Sequence, residues 1–481
     1  MSITSSLNSA LSGLVASSRS AELVSNNIAN ALTEGYGRRE IELSARDLGG
    51  VRVDAISRRV DETIIADRRL ADASLGQERS AKDFYEQLER ILGAIDDPSS
   101  IQGRVTTFNA ALIEAAARPD SEVRLQGLFD AATAVTEGLN QTSDDIQALR
   151  EQADIDIANE VDRLNEGLAS VADYNADILR ARAAGRDASS LIDQRQQAID
   201  AIAEIVPIRE IPRDNGTVAL VTPTGALLVD TSASVVGFTA RPVITPDMTI
   251  GSGALSGLTL NGAEIRTSGT AAPLGGGTLA ANFAIRDELA VGAQAQVDAL
   301  ARDLVERFQD PALDTTLTAG DPGIFTDAGT AFAPADELGL AARISVNGLL
   351  DSSAGGAVWR FRDGLGATAQ GPVGENALLT RLGEALNEQR TTASGEITGA
   401  ARSAGALAGD LLSLVSVDRV AADAALGFAA ARQENLKDIE LAGGVDTDQE
   451  LQKLLLIEQA YTANARVITT ASEMIDTLLR I

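Results

Sequence analysis

Residues 25–40 read SNNIANALTEGYGRRE, and this stretch decides how the chain begins its fold. Asn26, Asn27 and Asn30 stand at the end of a helical pattern, although asparagine is a mediocre helix former whose amide competes for backbone hydrogen bonds. Gly35 is well placed as a left-handed cap, and charged residues follow it. The amides have two interpretations: they bond neighbouring subunits in a packed helical array, or they only fray and cap the helix.

Both ends of the chain predict long helices with heptad seams. The first seam, with Ser17 in its one polar slot, consists of Leu7, Ala10, Leu14, Ala21, Val24, Ile28 and Ala31. The second helix follows a break at Gly443 and Gly444 and is capped by Asp446 or Thr447. Its seam consists of Leu454, Ile457, Tyr461, Asn464, Ile468, Ala471, Ile475 and Leu478. Pairing the two terminal helices is the simplest way to bury both seams.

The middle of the chain predicts long antiparallel helices interrupted by a β segment. Apolar residues recur at helical spacing before Pro207, whereas Asn-Gly and Pro-Thr-Gly turns between short β-branched runs follow it. The predicted fold is therefore mostly α with an inserted β domain: terminal helices paired as a coiled coil, an elongated helical bundle and a smaller outer β domain. The predicted divisions are 1–60 with 436–481 for the terminal helices, 61–206 with 278–310 and 375–435 for the bundle, Pro207–Gly277 for the β domain, and 311–374 for a mixed loop and β segment.

Composition excludes several classes of function. The 481 residues carry 40 basic and 69 acidic side chains, a formal charge of −29, which argues against nucleic acid or an anionic membrane surface as partner. The chain has no Cys and no His, so disulfides, thiolate chemistry and His-based zinc or catalytic sites are excluded. We expect no cofactor. The N-terminus lacks the basic and apolar regions of a cleaved signal peptide, so we expect any export to keep it.

Two segments carry a family resemblance. Residues 10–43, ALSGLVASSRSAELVSNNIANALTEGYGRREIEL, resemble the N-terminal signature shared by flagellar rod, hook and hook-associated proteins. Residues 458–481, EQAYTANARVITTASEMIDTLLRI, resemble the C-terminal signature of that family. Within it, Gly35 and Tyr36 followed by Arg38 look like the hook-associated members, since rod and hook proteins more often have Phe and then Lys after the glycine.

The resemblance implies a structural part of an extracellular axial polymer. It implies export through the flagellar type III apparatus with the help of a chaperone, and assembly with copies of itself as a ring between hook and filament. The implied neighbours are the hook protein on the proximal side and the second hook–filament junction protein on the distal side. The predicted assembly residues are Leu14, Asn26, Asn27, Ile28, Asn30, Gly35, Tyr36, Leu454, Ile457, Tyr461, Asn464, Ile468, Ile475 and Leu478.

Three alternatives compete with this interpretation. The chain is another axial component, such as the hook protein or the second junction protein. It is an enzyme that cleaves glycans with paired carboxylates, although none of its 69 acidic residues sits in a distinctive motif. Or it is a free coiled-coil adaptor or chaperone, a class that does not need matched helices at both ends of the chain.

Overall fold

The computed structural model describes residues 3–33, 35–47, 49–94 and 97–480, so the outermost ends of the predicted terminal division lie outside it. The chain is mainly helical with four small antiparallel sheets, which confirms the predicted fold class. The helices are α1 (Ile3–Ala29), α2 (Glu62–Leu92), α3 (Ile101–Ala117), α4 (Glu122–Ala183), α5 (Ser189–Ala203), α6 (Gly277–Ala284), α7 (Ala290–Phe308), α8 (Leu340–Arg343), α9 (Arg360–Asp363), α10 (Ala377–Asn387), α11 (Ala404–Ala442) and α12 (Thr447–Leu479).

The strands form two hairpins and two three-stranded meanders. They are β1 (Arg38–Ala45) with β2 (Val51–Arg59); β3 (Arg209–Pro212), β4 (Val218–Val221) and β5 (Leu227–Val229); β6 (Val236–Gly237), β7 (Leu258–Leu260) and β8 (Ala263–Ile265); and β9 (Phe325–Asp327) with β10 (Ile344–Val346). The β1–β2 register shifts at Glu42 and Leu43.

Side chains at the first turns explain where several helices begin. Asp61, Ser100 and Ser403 precede α2, α3 and α11, and each accepts hydrogen bonds from first-turn backbone nitrogens. Asp446, one of the two predicted caps, does the same for α12. The caps satisfy backbone donors that have no partner inside the helix.

The 62-residue helix α4 connects two hydrophobic cores. At about 1.5 Å per residue it is roughly 93 Å long. Its first half packs with α2, α3, α7, α10 and α11 around a core that includes Phe108, Phe308 and Phe325. Its second half packs with α5, α6 and the strands of the 207–277 segment around a core that includes Leu164 and Leu220. The β segment thus shares its buried residues with helices, and the predicted domain boundaries stay a prediction.

A buried ion pair connects the middle of α4 to the turn between α6 and α7. Arg286 lies in a π-helical turn, Ile285–Leu289, between α6 and α7. Its Nη1 is 2.6 Å from Oδ1 of Asp154 in α4, and neither side chain is exposed to solvent. Oδ2 of Asp154 accepts from the backbone nitrogen of Arg241, at 2.6 Å. The hydrogen bonds offset the cost of removing both charges from water.

The terminal helices pair with each other, as predicted, and run antiparallel. Asn27 contacts Glu450, and a Cβ at Gly13 would lie 2.7 Å from Nδ2 of Asn464, so both helices advance by fourteen residues in opposite directions. The β1–β2 hairpin packs against α1 and reaches α5, while α11 packs along α2. The paired ends and the hairpin are called the terminal arm below, and the rest is called the body.

The predicted α1 seam is correct at Ala10, Ser17 and Val24, which are buried. Leu14 and Ile28 are half-buried, and their role in assembly stays a prediction. Ser20 and Asn27 are also buried, and Gly13 lies against Asn464 of α12, which the hydrophobic pattern did not predict. Small side chains at these positions let the backbones of α1 and α12 approach closely, which bulkier leucine and isoleucine would prevent.

Removing the Asp154 carboxylate should destabilise the body, because Arg286 would remain buried with Asp287 as its remaining charged partner. We expect Asp154→Ala to lower the free energy of unfolding by about 3–5 kcal/mol, measured by urea denaturation followed by circular dichroism. Asp162→Ala, at an exposed position of the same helix, is the matched control and should stay within about 0.5 kcal/mol of the wild type. Equal effects of the two substitutions would contradict a stabilising role for the buried pair.

Candidate assembly site

The asparagine-rich segment places one buried amide, that of Asn27, where both ends of the chain meet. Its Nδ2 donates to the backbone oxygen of Arg39, at 2.9 Å, and to Oε2 of Glu450, at 3.0 Å. Its Oδ1 accepts from the Tyr36 hydroxyl, at 2.8 Å, and from the Arg39 backbone nitrogen, at 3.0 Å. All four hydrogen-bonding positions of the amide are used within one chain. The interpretation that Asn27 bonds a neighbouring subunit does not fit this geometry.

Glu450, in the first turn of α12, is the acceptor from the other end of the chain. Its side chain is only 2% exposed. Its Oε1 accepts from Nε of Arg38, at 3.0 Å, and from Nζ of Lys453, at 3.2 Å. Burial alone raises the pKa of Glu450, but hydrogen bonds from Asn27, Lys453 and Arg38 outweigh that effect. The pKa of this carboxyl therefore lies below its usual value, and it is ionised at neutral pH.

The carboxylate of Asp193, in α5, holds the hairpin against the body. Its Oδ2 lies 2.7 Å from Nη2 of Arg39, and its Oδ1 lies 2.9 Å from Nε of Arg58. Nη2 of Arg58 also donates to the backbone oxygen of Gly35, at 3.0 Å. Gly35 has φ +76°, a conformation that favours glycine, and a Cβ at Gly37 would lie 2.1 Å from Nε of Arg58. Both glycines are therefore needed for the turn to close onto α5.

A second carboxylate on the same face of α5 binds arginines of the body. Asp200 lies two helical turns after Asp193, and its Oδ1 accepts from Nη2 of Arg68 and from Nε of Arg69, both at 2.7 Å. Nε of Arg68 also donates to Oε2 of Glu440, at 2.6 Å, near the end of α11. We call Asp193 and Asp200 with their arginine partners the α5 joint. It connects the terminal arm to α2 and α11.

The remaining N-terminal residues of the predicted site have local roles or are exposed. Asn30 fits the capping interpretation, since its Nδ2 donates to the Asn26 backbone oxygen, at 2.9 Å, and its Oδ1 accepts from the Thr33 hydroxyl, at 3.3 Å. Asn26 itself is exposed. The ring of Tyr36 lies under the Arg39 guanidinium, 5.1 Å from its carbon atom. Thus Asn27, Gly35 and Tyr36 converge at one place, and Asn26 does not join them.

The C-terminal residues of the predicted site divide by exposure. Leu454, Ile457, Asn464 and Ile468 are half-buried. Tyr461, Ile475 and Leu478 are exposed, with Leu478 at 62%. Ala471 is the last buried residue of α12. Beyond Ala471, the predicted seam residues Ile475 and Leu478 therefore face solvent in the single chain.

The charged residues of the site were not predicted individually. Glu450, Asp193 and Arg58 have no distinguishing local pattern, and each meets its partner only through the fold. The signal in the sequence was the cluster of charges after Gly37, where Arg38 and Arg39 both turn out to bind carboxylates. Two adjacent arginines after a glycine turn give no indication of their partners.

Within the described residues, no group of three or more acidic side chains is arranged to hold a metal ion. No described helix has both the length and the apolar character needed to cross a membrane. The site therefore consists of buried hydrogen bonds and ion pairs between the two ends of one chain. Exposed apolar side chains of α12 lie beside it.

Two family models match parts of this chain. A family model described as the flagellar hook-associated protein FlgK helical domain matches residues 85–323. A second, described as the flagellar basal body rod FlgEFG protein C-terminal, matches residues 442–481, which include all of α12. The chain belongs to the flagellar hook-associated protein family. The body carries the hook-associated signature, and α12 carries the one shared with rod proteins.

Individual relatives agree with this family. Flagellar hook-associated protein 1 of Salmonella typhimurium is 28% identical over 48% of this chain and 44% of its own length. The protein of the same name from Bacillus subtilis is 22% identical over 98% of this chain and 97% of its own. The alignment thus spans less than half of the Salmonella relative. A solved structure, the hook junction protein FlgK from Burkholderia pseudomallei, aligns at a TM-score of 0.45 with 19% identity, over 56% of this chain and 47% of that one.

Membership of this family decides between two of the classes considered from the sequence. Flagellar hook-associated proteins are structural components of an extracellular appendage, so the chain is a structural protein and not an enzyme. The acidic residues are then side chains of a solvated surface and of ion pairs such as those of the α5 joint.

Acidification should loosen the contact between Asn27 and Glu450. The pKa of Glu450 is lower in the folded chain than the ordinary value of 4.5, so its contribution to stability is present above that value and is lost as pH falls through the lower folded pKa. We expect amide-exchange protection of the first turns of α12, corrected for intrinsic exchange rates, to fall over that range. Glu450→Gln should show less protection at neutral pH and a weaker pH dependence.

The matched control for this prediction is Glu458→Gln, which removes an exposed carboxylate from the same helix. It should exchange like the wild type at every pH. If Glu450→Gln behaved as this control does, the buried carboxylate would not be what holds α12 to α1.

Proposed function

We propose that this chain is an adaptor between the hook and the filament of a bacterial flagellum, and that it polymerises as a ring through α1 and α12. One observation carries the proposal: α12 is paired with α1 along one side, yet exposes apolar side chains from its first turn to its last. These side chains, called the exposed row below although they occupy more than one side of the helix, include Leu451, Leu455, Leu456, Val467, Met474, Leu478 and Leu479. Exposed apolar surface of this extent is typical of helices that are covered by further subunits.

The position of the exposed row supports an inner location for the terminal helices. The row lies on the terminal arm, whereas the 207–277 segment shares a core with the second half of α4. In a ring, packing terminal arms side by side covers the apolar row and leaves the body outside. The exposed residues Tyr461, Ile475 and Leu478, predicted as assembly residues, would be buried in this contact.

The proposed partners follow from a ring with two unlike faces. Contacts along such a polymer are heterologous, because each surface binds a different surface on the next protein. We place the hook protein on the proximal side and the second hook–filament junction protein on the distal side, with export through the flagellar type III apparatus and a chaperone before assembly. The name of the relatives, flagellar hook-associated protein 1, supports a place next to the hook.

A charge in the seam should prevent assembly without unfolding the body. Ile468→Asp places a carboxylate in the layer between α1 and α12, where an unpaired charge is costly to bury. We expect loss of the polymer in sedimentation and an unchanged melting temperature of the body, because Ile468 lies outside both cores. Thr469→Asp, at the neighbouring exposed position, is the control and should assemble more readily. A lowered melting temperature of the body in Ile468→Asp alone would show that the helix belongs to that core.

Cells that lack this chain should build hooks, lack filaments and release unpolymerised flagellin into the medium. Electron microscopy of the cells and blotting of the medium measure these outcomes, and expression of the wild-type chain should restore filaments. Normal filaments in the null cells would refute the junction role. Absence of hooks would instead assign the chain to the rod or the hook, the alternative left open by the shared C-terminal signature.

A further inference from the structure

An open groove runs between α1 and the end of the β1–β2 hairpin. One wall is a stripe of α1 side chains spaced by three or four residues: Thr4, Asn8, Leu11, Val15 and Arg19. The other wall is the hairpin between Ala45 and Val53. The groove encloses about 1190 Å³ and is roughly 22 Å long at 1.5 Å per residue of α1. Leu11 and Val15 are about half exposed in it.

The hairpin wall is fixed on α1 by close backbone contacts. Oγ of Ser12 accepts from the backbone nitrogen of Val51, at 3.1 Å. A Cβ at Gly50 would lie 2.3 Å from Oγ of Ser12, and one at Gly49 would lie 3.0 Å from Oγ of Ser9. Both glycines have φ +89°. The hairpin turn packs directly against Ser9 and Ser12 because Gly49 and Gly50 carry no side chain. The groove is therefore fixed by the fold.

The groove is basic on a chain that is otherwise strongly acidic. Arg19, Arg46 and Arg52 line it, against one acidic residue, Asp47, but Nε of Arg52 is paired with Oδ1 of Asp54, at 2.6 Å. The excess of positive charge in the groove therefore comes from Arg19 and Arg46. The chain as a whole has a formal charge of −29. A local excess of positive charge on such a surface favours an acidic, partly apolar partner, since the groove also exposes Leu11 and Val15.

The end of α12 has the complementary chemistry, and its apolar side chains are exposed among the residues that the structure describes. Met474, Ile475, Leu478 and Leu479 are 36–79% exposed. Glu473 and Asp476 lie among them, on the last turns of the helix. The segment 472–479 is therefore an acidic, apolar helix end.

Pairing geometry explains why this end is uncovered. Asn27 meets Glu450 and Gly13 meets Asn464, so continuing the antiparallel pairing brings Ile3, the first residue of α1, level with Met474. Residues of α12 beyond that point extend past the end of α1. They lie on a different face of the arm from the groove, which is formed by the Leu11 side of α1 and not by the Gly13 side.

We infer that the groove between α1 and the hairpin receives the end of α12, residues 472–479, from a second copy of this chain. This inference rests on the proposed self-assembly and names the contact that carries it. The segment is about 11 Å long as a helix and fits within the groove. Docking covers Leu478 and Leu479 with Leu11 and Val15, and brings the two acidic residues to the arginines. Because groove and helix end are different surfaces, the contact repeats from copy to copy and does not stop at a dimer.

Cysteine cross-linking tests the contact directly, since the chain has no cysteine of its own. Full-length Val15→Cys and Leu478→Cys proteins are mixed under assembly conditions and oxidised, and the products are separated by non-reducing electrophoresis. We expect the mixture to give a cross-linked heterodimer in several-fold greater yield than either protein alone. Ile113→Cys, at an exposed position of α3, mixed with Leu478→Cys is the control and should give only background.

Charge reversal separates this contact from assembly in general. Arg19→Glu with Arg46→Glu should reduce the cross-link yield, and Glu473→Arg with Asp476→Arg in the partner copy should restore it. If the chain assembles but the cross-link is absent, the inference is wrong and the proposed ring stands. If no self-association occurs under any condition, both are wrong. Cross-linking that survives charge reversal without compensation would also overturn the pairing described here.

Discussion

The structure depends on one buried contact, in which a neutral amide near the start of the chain donates to a carboxylate near its end. Asn27 and Glu450 are separated by 423 residues, and their hydrogen bond is 3.0 Å long. A buried carboxylate is stable only with enough donors, and Asn27, Arg38 and Lys453 supply them. The amide needs no particular protonation state, so it also bonds the Tyr36 hydroxyl and the Arg39 backbone. Antiparallel pairing of the terminal helices starts from this point.

The position of the terminal arm relative to the body depends on the charged side chains of the α5 joint. The α5 joint uses two carboxylates on one helix face, Asp193 towards the hairpin and Asp200 towards α2. Arg68 extends the set to Glu440 at the end of α11, which leads into α12. Ion pairs that are only partly buried are weaker than a hydrophobic core and are screened by salt. The arm is therefore attached to the body mainly through polar contacts, whereas each core in the body is held by burial of apolar residues.

Features that follow from a local sequence pattern could be predicted. Contacts between residues that are far apart in the chain could not. Heptad spacing predicted α1 and α12 and their pairing, and turn residues predicted the change to β structure after Pro207. The part that Gly13, Ser20 and Asn27 play on α1 was missed, because a hydrophobic pattern favours residues such as Leu14 and Ile28 whereas close packing also selects small and polar side chains. Partners such as Asp193 and Glu450 were missed because the contacts join residues that are far apart in the chain. That the β strands share a core with the second half of α4 is likewise a property of packing and leaves no local signal.

A double-mutant cycle between Asn27 and Glu450 tests the central claim most directly. The free energy of opening of α1 and α12 is measured by amide exchange in the wild type, in Asn27→Ala, in Glu450→Ala and in the double variant. The bonds of Asn27 to Tyr36 and Arg39 are lost in both backgrounds, so the cycle isolates the contact between amide and carboxylate. The account predicts a coupling energy of about 1.5–3 kcal/mol, the usual range for a hydrogen bond to a charged group. Additive effects, with no coupling, would contradict it.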